Sequence, residues 1–481
     1  MGMARILFLQ DTLCEYAGLS VLSACLKAAG HETDLCVVDG KRDLRRFPAR
    51  LDRIRPDLCA FSTVSIGLER RLEIAAVCKA EGYLTMFGGP HPTFHPDLVE
   101  DPRVDLVCRG EGEGAIVDVA DRLDEGARAV EDFEGIPNVS LVNEQGPQHP
   151  PMRRLVDIDT LPFHDRAIYY DRFPVMAKFS NKRVHVSRGC PHVCTFCDAV
   201  TLRKAVRGLG KFVRYRSADS IIEEIHQLRR DWGFRTLTLT AETFTANRRW
   251  ALGFLERYAR EVRVPFMTAA VYRELDEEMI AALADAGCHC LSIGLESGNE
   301  TIRQELLKKR FSNDFVRHIG GLLQKHGIKL MSFVIFGSPT ETLETAWETV
   351  DLEVEIGAMT HSPTLLQPYK GTEILDYIQE RSMLREGVTE HDIFHRPVGM
   401  AVKSPDRHAI ENLQKLSWLV LRWPETRPLV ERLVHLPPNP AYSAVLVAAL
   451  THKYLSSRQV GFGEFARYAL HLKRDYKSFF W

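Results

Sequence analysis

The sequence lacks the features that mark membrane, secreted and nucleic-acid-binding proteins. Its 481 residues have a formal net charge of −2, so no global field favours nucleic acid or an acidic membrane. No apolar run approaches the roughly 18 residues that a membrane span needs. The chain starts without a signal-peptide cleavage pattern. In such a chain we expect the cysteines to be reduced thiols and not a disulfide framework. We therefore expect a cytoplasmic globular protein that binds neither nucleic acid nor a membrane.

The first part of the chain alternates apolar runs with helical patterns. Residues 4–10, ARILFLQ, form a continuous apolar run of the kind found in buried parallel strands. Repeated βα units of this kind predict an α/β, Rossmann-like doubly wound domain over residues 1–130, with ligands outside the carboxyl ends of its strands. Glycines follow predicted strands at Gly88, Gly89 and Gly110, where a backbone turn close to a ligand would need them.

Three regions with different patterns follow. Residues 131–180 interrupt the rhythm with proline, asparagine and glycine, which predicts a small hairpin and a linker. The βα alternation returns over residues 181–380 and suits a partial (β/α)6 barrel, whose active residues should follow the strands. Residues 381–481 lose the strand signal, so we expect a helical C-terminal region there.

One loop concentrates three cysteines without a fourth. The segment SRGCPHVCTFC contains Cys190, Cys194 and Cys197. Structural zinc takes four ligands, and catalytic zinc sites rarely take three cysteines from one short loop. A [4Fe–4S] cluster usually takes four cysteines, so three would leave one iron open to a substrate or cofactor. A zinc knuckle completed by His192 or His185 is the alternative at this point.

The spacing Cys-x3-Cys-x2-Cys, with Phe196 before the last cysteine, resembles the signature of the radical S-adenosylmethionine (SAM) superfamily. Its flanks are similar to those of the branch that carries an N-terminal cobalamin-binding domain. The resemblance extends over about residues 4–375. Other segments resemble signatures of the same branch: EYAGLSVLSACLKAAGHE, FGGPHPTFHP, RGEGEG and LSIGLESGNE.

This resemblance implies a [4Fe–4S] cluster held by Cys190, Cys194 and Cys197. In the family, the open iron chelates the amino and carboxylate groups of SAM. One electron from the cluster then cleaves SAM to methionine and a 5′-deoxyadenosyl radical, which would abstract hydrogen from a carbon of a small metabolite. The resemblance also implies an external electron donor of the flavodoxin or ferredoxin type.

The resemblance assigns SAM contacts to residues at predicted strand ends. Glu242 would bind the SAM amino group, although many members have two aspartates there and this chain reads Ala-Glu-Thr-Phe over residues 241–244. Arg273 could pair with the SAM carboxylate, since a guanidinium suits a planar anion. Phe196 would cover the adenine. The alternatives are a rim salt bridge for Arg273 and a core position for Phe196.

The motif LSIGLESGNE supplies the expected contacts to the SAM ribose. Glu296 is the principal candidate, and Ser292 and Ser297 are weaker ones. Glu242 and Tyr272 are the candidate catalytic residues, because each ends a predicted barrel strand.

One predicted turn departs from the family pattern. The segment FGSPTET begins at residue 336, where relatives often read Gly-x-Pro-Gly-Glu after the phenylalanine. Thr340 takes the place of the second glycine, which puts the geometry of this turn in question.

Five residues of the first domain line up with positions that cradle the nucleotide tail of cobalamin: Ser62, Thr63, Gly88, Gly89 and Gly110. The Asp-x-His-x-x-Gly motif, which supplies an axial histidine in other cobalamin proteins, is absent. Many members of the resembled branch also lack this motif. The domain therefore either binds cobalamin without that histidine or is vestigial.

The resembled branch mostly transfers a methyl group from methylcobalamin to carbon. We therefore predict cobalamin-dependent C-methylation of a small metabolite. The alternatives are a non-methylating radical reaction, such as dehydration or deoxygenation of a diol, rearrangement or cyclisation, and a non-catalytic cobalamin or Fe–S sensor. Polar residues near predicted strand ends favour a hydroxylated or amino-sugar-like substrate: Glu242, Tyr272, His361, Gln367 and Tyr369.

Overall fold

The computed structural model describes residues 3–388 and 399–471. Two largely parallel sheets, each flanked by helices, are followed by a helical C-terminal region. This architecture confirms the predicted fold class. The remaining parts of the predicted C-terminal region, 389–398 and 472–481, lie outside the described residues.

The first sheet has the strand order β2-β1-β3-β4-β5-β6-β7. Its strands are Arg5–Gln10 (β1), Glu32–Val37 (β2), Leu58–Ser62 (β3), Leu84–Gly88 (β4), Leu106–Cys108 (β5), Val139–Asn143 (β6) and Gly146–Gln148 (β7). Strands β1 to β5 run parallel, and β6 and β7 add antiparallel strands. The hairpin expected after residue 130 therefore extends this sheet.

Helices cover both faces of the first sheet, as in a doubly wound domain. In β1, Ile6 and Phe8 enter one core and Leu7 and Leu9 enter the other, because successive side chains of a strand point to opposite faces. The helices of this part are Ala17–Ala28 (α1), Gly40–Ile54 (α2), Leu68–Ala80 (α3), Pro90–Phe94 (α4) and Glu113–Asp124 (α5).

The segment after β7 is a linker that contacts both sheets. It contains the short helices Ala167–Tyr170 (α6) and Pro174–Ala177 (α7). On one side, the hydroxyl of Tyr169 accepts a hydrogen bond from Gln10 Nε2 at 2.9 Å. On the other side, Arg166 donates to the buried carboxylate of Glu224 at 2.7 Å. These contacts attach the linker to the first domain and to the barrel.

The second sheet is an open half-barrel with the order β15-β14-β13-β12-β11-β8. Its strands are Asn181–His185 (β8), Thr236–Thr240 (β11), Phe266–Ala270 (β12), Cys288–Glu296 (β13), Lys329–Phe336 (β14) and Thr360–Leu365 (β15). All neighbouring strands are parallel. A short antiparallel pair, Ser187–Arg188 (β9) and Arg214–Tyr215 (β10), follows the first barrel strand. The predicted partial barrel is therefore confirmed.

Helices accompany the barrel strands, and most of them pack on the outer face of this sheet. They are Asp198–Ala205 (α8), Ala218–Asp231 (α9), Arg248–Glu261 (α10), Glu277–Asp285 (α11), Asn313–Lys325 (α12), Leu343–Glu355 (α13) and Glu373–Glu380 (α14). Ile374 and Ile378 of the last one pack instead with Ile335 on the opposite face. Leu237 and Leu239 of β11 enter the main core beneath the helices. On the opposite face, Met267, Cys290 and Met331 form a separate small cluster. This alternation explains why one face of each strand remains for a site.

Side-chain caps fix where several barrel helices begin. The predicted cap Ser217 accepts a hydrogen bond from the backbone of Ser220 at 3.2 Å. A cap of this kind contributes about 1 kcal/mol to helix stability. The other barrel helices with such caps begin after Asn247, Asp276, Ser312 and Thr342.

The C-terminal helices contact the starts of several barrel strands. The carbonyl oxygen of Arg458 accepts a hydrogen bond from Thr236 Oγ1 at 3.0 Å, and the carbonyl oxygen of Ser457 lies 2.9 Å from His289 Nε2. The helices are Arg407–Arg422 (α15), Arg427–Leu433 (α16), Pro440–Arg458 (α17) and Phe462–His471 (α18). Among the residues that the structure describes, no helix is long and apolar enough to cross a membrane.

Candidate active site

The three clustered cysteines lie just beyond the first barrel strand, as expected. The loop follows β9, and all three thiols are partly buried. Burial raises the pKa of Cys190 to about 11 and that of Cys197 to about 12. The charge of Cys194 contributes to both increases. The thiols are therefore close enough to interact, and a cationic group would be needed to hold them as thiolates.

The cysteine loop does not have the geometry of a zinc knuckle. Within residues 3–388 and 399–471, no three His, Cys, Asp or Glu side chains are placed to bind one common metal ion. The two candidate fourth ligands have other contacts. His192 Nε2 lies 2.6 Å from Glu274 Oε1, and the ring of His185 stacks on that of His164. Three cysteines in one loop therefore fit an iron–sulfur cluster, which is held by cysteine thiolates, better than a zinc site.

A glycine lets the cysteine loop turn against the β9–β10 pair. Gly189 has φ of 84°, and a Cβ at this position would clash with the carbonyl oxygen of Phe212. Only glycine adopts this backbone conformation without strain and leaves room for the backbone of Phe212, which precedes β10. The glycine in the SRGC segment therefore has a local structural reason.

Glu274 joins the cysteine loop to the ends of two barrel strands. Its Oε2 accepts hydrogen bonds from Thr243 Oγ1 and, at 2.6 Å, from Thr245 Oγ1, while Oε1 contacts His192. Burial alone would raise the pKa of Glu274, but the hydrogen bonds outweigh burial and lower it. Sequence reasoning missed this residue, because its partner His192 lies 82 positions away.

Two expected SAM contacts flank the cysteine loop. Glu242 is exposed at the end of β11, and its charge raises the pKa of Cys190. Arg273 is also exposed, its Nη2 lies 3.4 Å from His192 Nδ1, and its charge lowers the pKa of Cys194. Both side chains thus lie near the cysteines with free polar surface for a zwitterionic ligand.

The expected ribose contact forms a buried ion pair. Lys309 Nζ donates to Glu296 Oε1 at 2.9 Å and to the carbonyl oxygen of Gly294 at 2.6 Å. Glu296 has φ of 67°, a conformation that is uncommon for a non-glycine residue and that clusters at functional sites. Both charges act on the thiol of Cys194. Lys309 was also missed, since nothing distinguishes it from its neighbours in the run Lys-Lys-Arg.

The remaining SAM candidates occupy different environments. Ser292 is buried on the strand face opposite Leu291 and Ile293, which enter the helix-side core. The hydroxyl of Ser297 accepts a hydrogen bond from the backbone of Asn299. Phe196 packs against a small apolar cluster with Ile335, Leu366, Ile374 and Ile378.

Tyr272, a candidate catalytic residue, is fully buried in the core on the helix side. Its ring lies 5.1 Å from that of Phe311, and burial raises the pKa of its hydroxyl. This hydroxyl has no hydrogen-bond partner in the described part of the chain. Tyr369 is exposed and follows β15. Desolvation raises the pKa of Tyr369, and Cys197 is close enough for the charge of its thiolate to contribute. The side chain of His361 lies outside the described residues.

The cobalamin candidates lie together at the carboxyl edge of the first sheet. Gly89 has φ of 105°, and a Cβ there would lie 2.9 Å from the backbone nitrogen and oxygen of Thr63. The buried hydroxyl of Thr63 has no partner among the described residues. Gly110 has φ of 72° and lies under Met152 of the linker. The other two candidates, Ser62 and Gly88, are opposite each other on β3 and β4.

Apolar side chains are exposed around the two candidate sites. Val64 follows β3 in the first domain, Val193 lies in the cysteine loop, and Phe333 lies on the open face of β14. A bound cofactor would cover such groups. The glycine turns, the unpartnered Thr63 hydroxyl and this apolar surface therefore fit a bulky ligand between the first domain and the barrel.

Comparison with known families agrees with this geometry. The model of the radical SAM superfamily matches residues 184–352, and that of the B12 binding domain matches residues 12–120. The chain belongs to the radical SAM superfamily, in the branch with a B12-binding domain. The resemblance predicted from the cysteine loop is thus confirmed.

Two relatives found by sequence align with most of this chain. An uncharacterized methyltransferase of Pyrococcus horikoshii is 26% identical over 384 residues, which cover 76% of this chain and 79% of the relative. Cytidylyl-2-hydroxyethylphosphonate methyltransferase of Streptomyces wedmorensis is 24% identical over 438 residues, which cover 78% of this chain and 79% of the relative.

Solved structures share the fold of this radical SAM chain. The methyltransferase TsrM of Kitasatospora setae, solved with cobalamin and a [4Fe–4S] cluster, has a TM-score of 0.66 at 17% identity, covering 90% of this chain and 99% of that one. The cobalamin-dependent enzyme OxsB, solved with aqua-cobalamin and SAM, has a TM-score of 0.67 at 16% identity, covering 98% of this chain and 75% of that one.

Proposed function

We propose that this chain is a cobalamin-dependent radical SAM enzyme that methylates a carbon of a small molecule. The observation that carries the proposal is the pairing of a complete cysteine triad with a B12-binding domain whose glycine turns are intact. Two relatives that match over most of their length are named methyltransferases, which supports methylation over the non-methylating alternative.

The cofactors would divide the chemistry between the two domains. When bound, the cluster supplies the electron that cleaves SAM, and cobalamin supplies the methyl group. We assign cobalamin binding to residues 1–130, the linker to 131–180, SAM chemistry to 181–380, and a helical region to 381–481. An external donor of the flavodoxin or ferredoxin type would provide electrons.

The protein's own groups bind and orient these cofactors. Cys190, Cys194 and Cys197 hold the cluster, with a loop position fixed by Glu274 through His192. The other assigned cofactor contacts are Glu242, Arg273, Phe196, Ser292, Glu296 and Ser297 for SAM, and Ser62, Thr63, Gly88, Gly89 and Gly110 for cobalamin.

The catalytic assignments concern the open mouth of the barrel. The exposed position of Glu242 beside Cys190 supports a role in contact with SAM. Tyr272 remains a catalytic candidate from its strand-end position only, and its burial favours a role in packing. We propose a hydroxylated or amino-sugar-like small molecule as substrate, because polar groups follow the strands around this mouth.

Cofactor content tests the proposal directly. Protein purified anaerobically from cells supplied with cobalamin should contain cobalt and iron, and its visible spectrum should show both chromophores. Thr63→Val keeps the shape of this side chain and removes the unpartnered hydroxyl, so it should lower cobalamin content without changing iron content. Thr195→Val is the matched control. The Thr195 hydroxyl lies in the cysteine loop and donates to the Leu306 carbonyl, so this variant should leave the cobalamin content unchanged. Iron-loaded protein that never binds cobalamin would refute the proposal.

A further inference from the structure

Four charged side chains join the B12-binding domain to the strand pair that carries the cysteine loop. Glu111 lies in the turn between β5 and α5, and Glu113 is the first residue of α5. Arg188 and Arg214 lie on β9 and β10. Arg188 Nη1 lies 3.0 Å from Glu111, and its Nη2 lies 2.5 Å from Glu113. Arg214 makes two contacts with Glu111, at 2.6 Å and 3.0 Å. The network therefore connects the two domains through paired, directional bonds.

This network is sheltered from solvent. The side chains of Glu113 and Arg214 are 9% and 12% exposed, and the other two are partly buried. Burial would raise the pKa of Glu111, but the hydrogen bond and charge of Arg214 and the charge of Arg188 outweigh it and lower the pKa. Sheltered ion pairs of this kind are screened little by salt.

The two arginines need the carboxylates. Arg188 and Arg214 are directly opposite each other in the β9–β10 register, and like charges in such positions repel. Glu111 lies against both and also accepts a hydrogen bond from the backbone of Val156 in the linker at 2.9 Å. The β9–β10 pair is therefore held together by a carboxylate that belongs to the other domain.

The network also lies between the two candidate cofactor sites. Glu111 directly follows Gly110, and Arg188 is separated from Cys190 only by Gly189, which is packed against the backbone of Phe212. A displacement of Glu111 would therefore move Arg188, its ion-pair partner, and with it the start of the cysteine loop at Gly189.

We propose that Glu111 and Arg188 are positioning residues that set the distance and orientation of the iron–sulfur cluster relative to the B12-binding turn. The inference rests on the proposed function for what the two sites bind. Neither residue contacts a reacting atom. Their role is to keep the two cofactors in one fixed arrangement.

The test is a distance-sensitive spectrum of protein that contains both cofactors. Electron paramagnetic resonance of the reduced cluster together with cob(II)alamin reports the magnetic interaction between them. In Glu111→Gln, which keeps shape and removes charge, we expect normal iron and cobalt contents but an altered interaction. Arg188→Lys keeps charge and loses the two-pronged contact, so it should give a smaller change. Spectra identical to wild type at normal cofactor contents would overturn the proposal.

Asp118→Asn is the matched control. Asp118 forms an ion pair with Arg153 at 2.7 Å. This pair also joins the first domain to the linker, but it does not involve β9 or β10. This variant should leave the interaction between the cofactors unchanged. If Glu111→Gln does not accumulate as folded protein, Arg188→Lys decides the question by the same criterion.

A second readout keeps this inference separate from the proposed function. If wild-type protein binds no cobalamin, the proposed function fails, and backbone hydrogen exchange then tests the positioning role alone. Glu111→Gln should increase exchange across residues 187–197, and Asp118→Asn should not. Equal exchange across this segment in wild type and Glu111→Gln would overturn the positioning role.

Discussion

Removing the charge of Glu296 tests whether this carboxylate binds SAM or only neutralises Lys309. In Glu296→Gln, Lys309 keeps its contact with the Gly294 carbonyl but loses its carboxylate partner. A hydrogen bond to a charged group contributes about 1.5–3 kcal/mol to stability, and both side chains are buried. If Glu296 also binds the ribose, SAM affinity of the folded protein should fall about tenfold, or by about 1.4 kcal/mol.

Substitution of the lysine separates the two roles. Lys309→Met leaves the buried carboxylate of Glu296 unpaired, which costs about 3–5 kcal/mol of stability. Lys308→Met is the matched control, because its pair with Glu373 lies at the surface, where such pairs contribute about 0–1 kcal/mol. The double variant E296Q/K309M lacks both charges and should recover stability without recovering SAM affinity.

The assay combines SAM binding to anaerobically reconstituted protein with urea unfolding of the same samples. We expect Glu296→Gln to lose affinity and some stability, and Lys308→Met to lose neither. Unchanged SAM affinity in folded Glu296→Gln, with lower unfolding free energy, would refute the assignment of Glu296 to SAM and leave it a purely structural counterion.

Three further predictions concern the cysteine loop and its surroundings. Replacing all three loop cysteines by alanine should remove the brown chromophore, and retention of the wild-type iron content would contradict their assignment as ligands. Glu274→Gln should leave the cluster bound but slow the formation of 5′-deoxyadenosine, because His192 loses a charged partner. An unchanged rate would rule out the role of Glu274 in positioning the cysteine loop. Burial lowers the pKa of His185 from 6.5 to about 4. The contribution of His185 to stability should therefore be full above about pH 6.5 and be lost, by up to about 3 kcal/mol, as the pH drops to 4. His185→Gln should flatten this dependence in thermal melts, and an equally steep dependence would contradict it.

The fold followed from patterns that lie within short stretches of sequence. Apolar runs such as residues 4–10 predicted the parallel strands, and Ser217 predicted a helix start that its hydrogen bond confirms. The cysteine spacing likewise identified the family, because all three ligand candidates fall in one loop. Thr340, at the position where the resembled motif often has glycine, adopts φ of 68°, so the turn has a left-handed conformation at some cost in strain.

The side chains that organise the site could not be read from the sequence. Glu274 contacts His192, and Glu111 contacts Arg188, across separations of 82 and 77 residues. Such pairs depend on how strands and domains pack, which one sequence does not reveal. Tyr272 illustrates the same limit in reverse. A residue at a strand end was expected at the site, but a short 3-10 turn over Tyr272–Glu274 begins there and the ring enters the helix-side core.

The most direct test of the account counts the two nucleosides formed from SAM. Protein loaded with both cofactors, reduced and supplied with a methyl-accepting substrate, should form S-adenosylhomocysteine and 5′-deoxyadenosine in equal amounts. S-adenosylhomocysteine reports methylation of cobalt, and 5′-deoxyadenosine reports radical formation on carbon. Equal amounts of both nucleosides, matched by product that has gained one carbon, is the predicted result. Formation of 5′-deoxyadenosine without S-adenosylhomocysteine, and of a product with unchanged carbon number, would contradict the proposed methyl transfer.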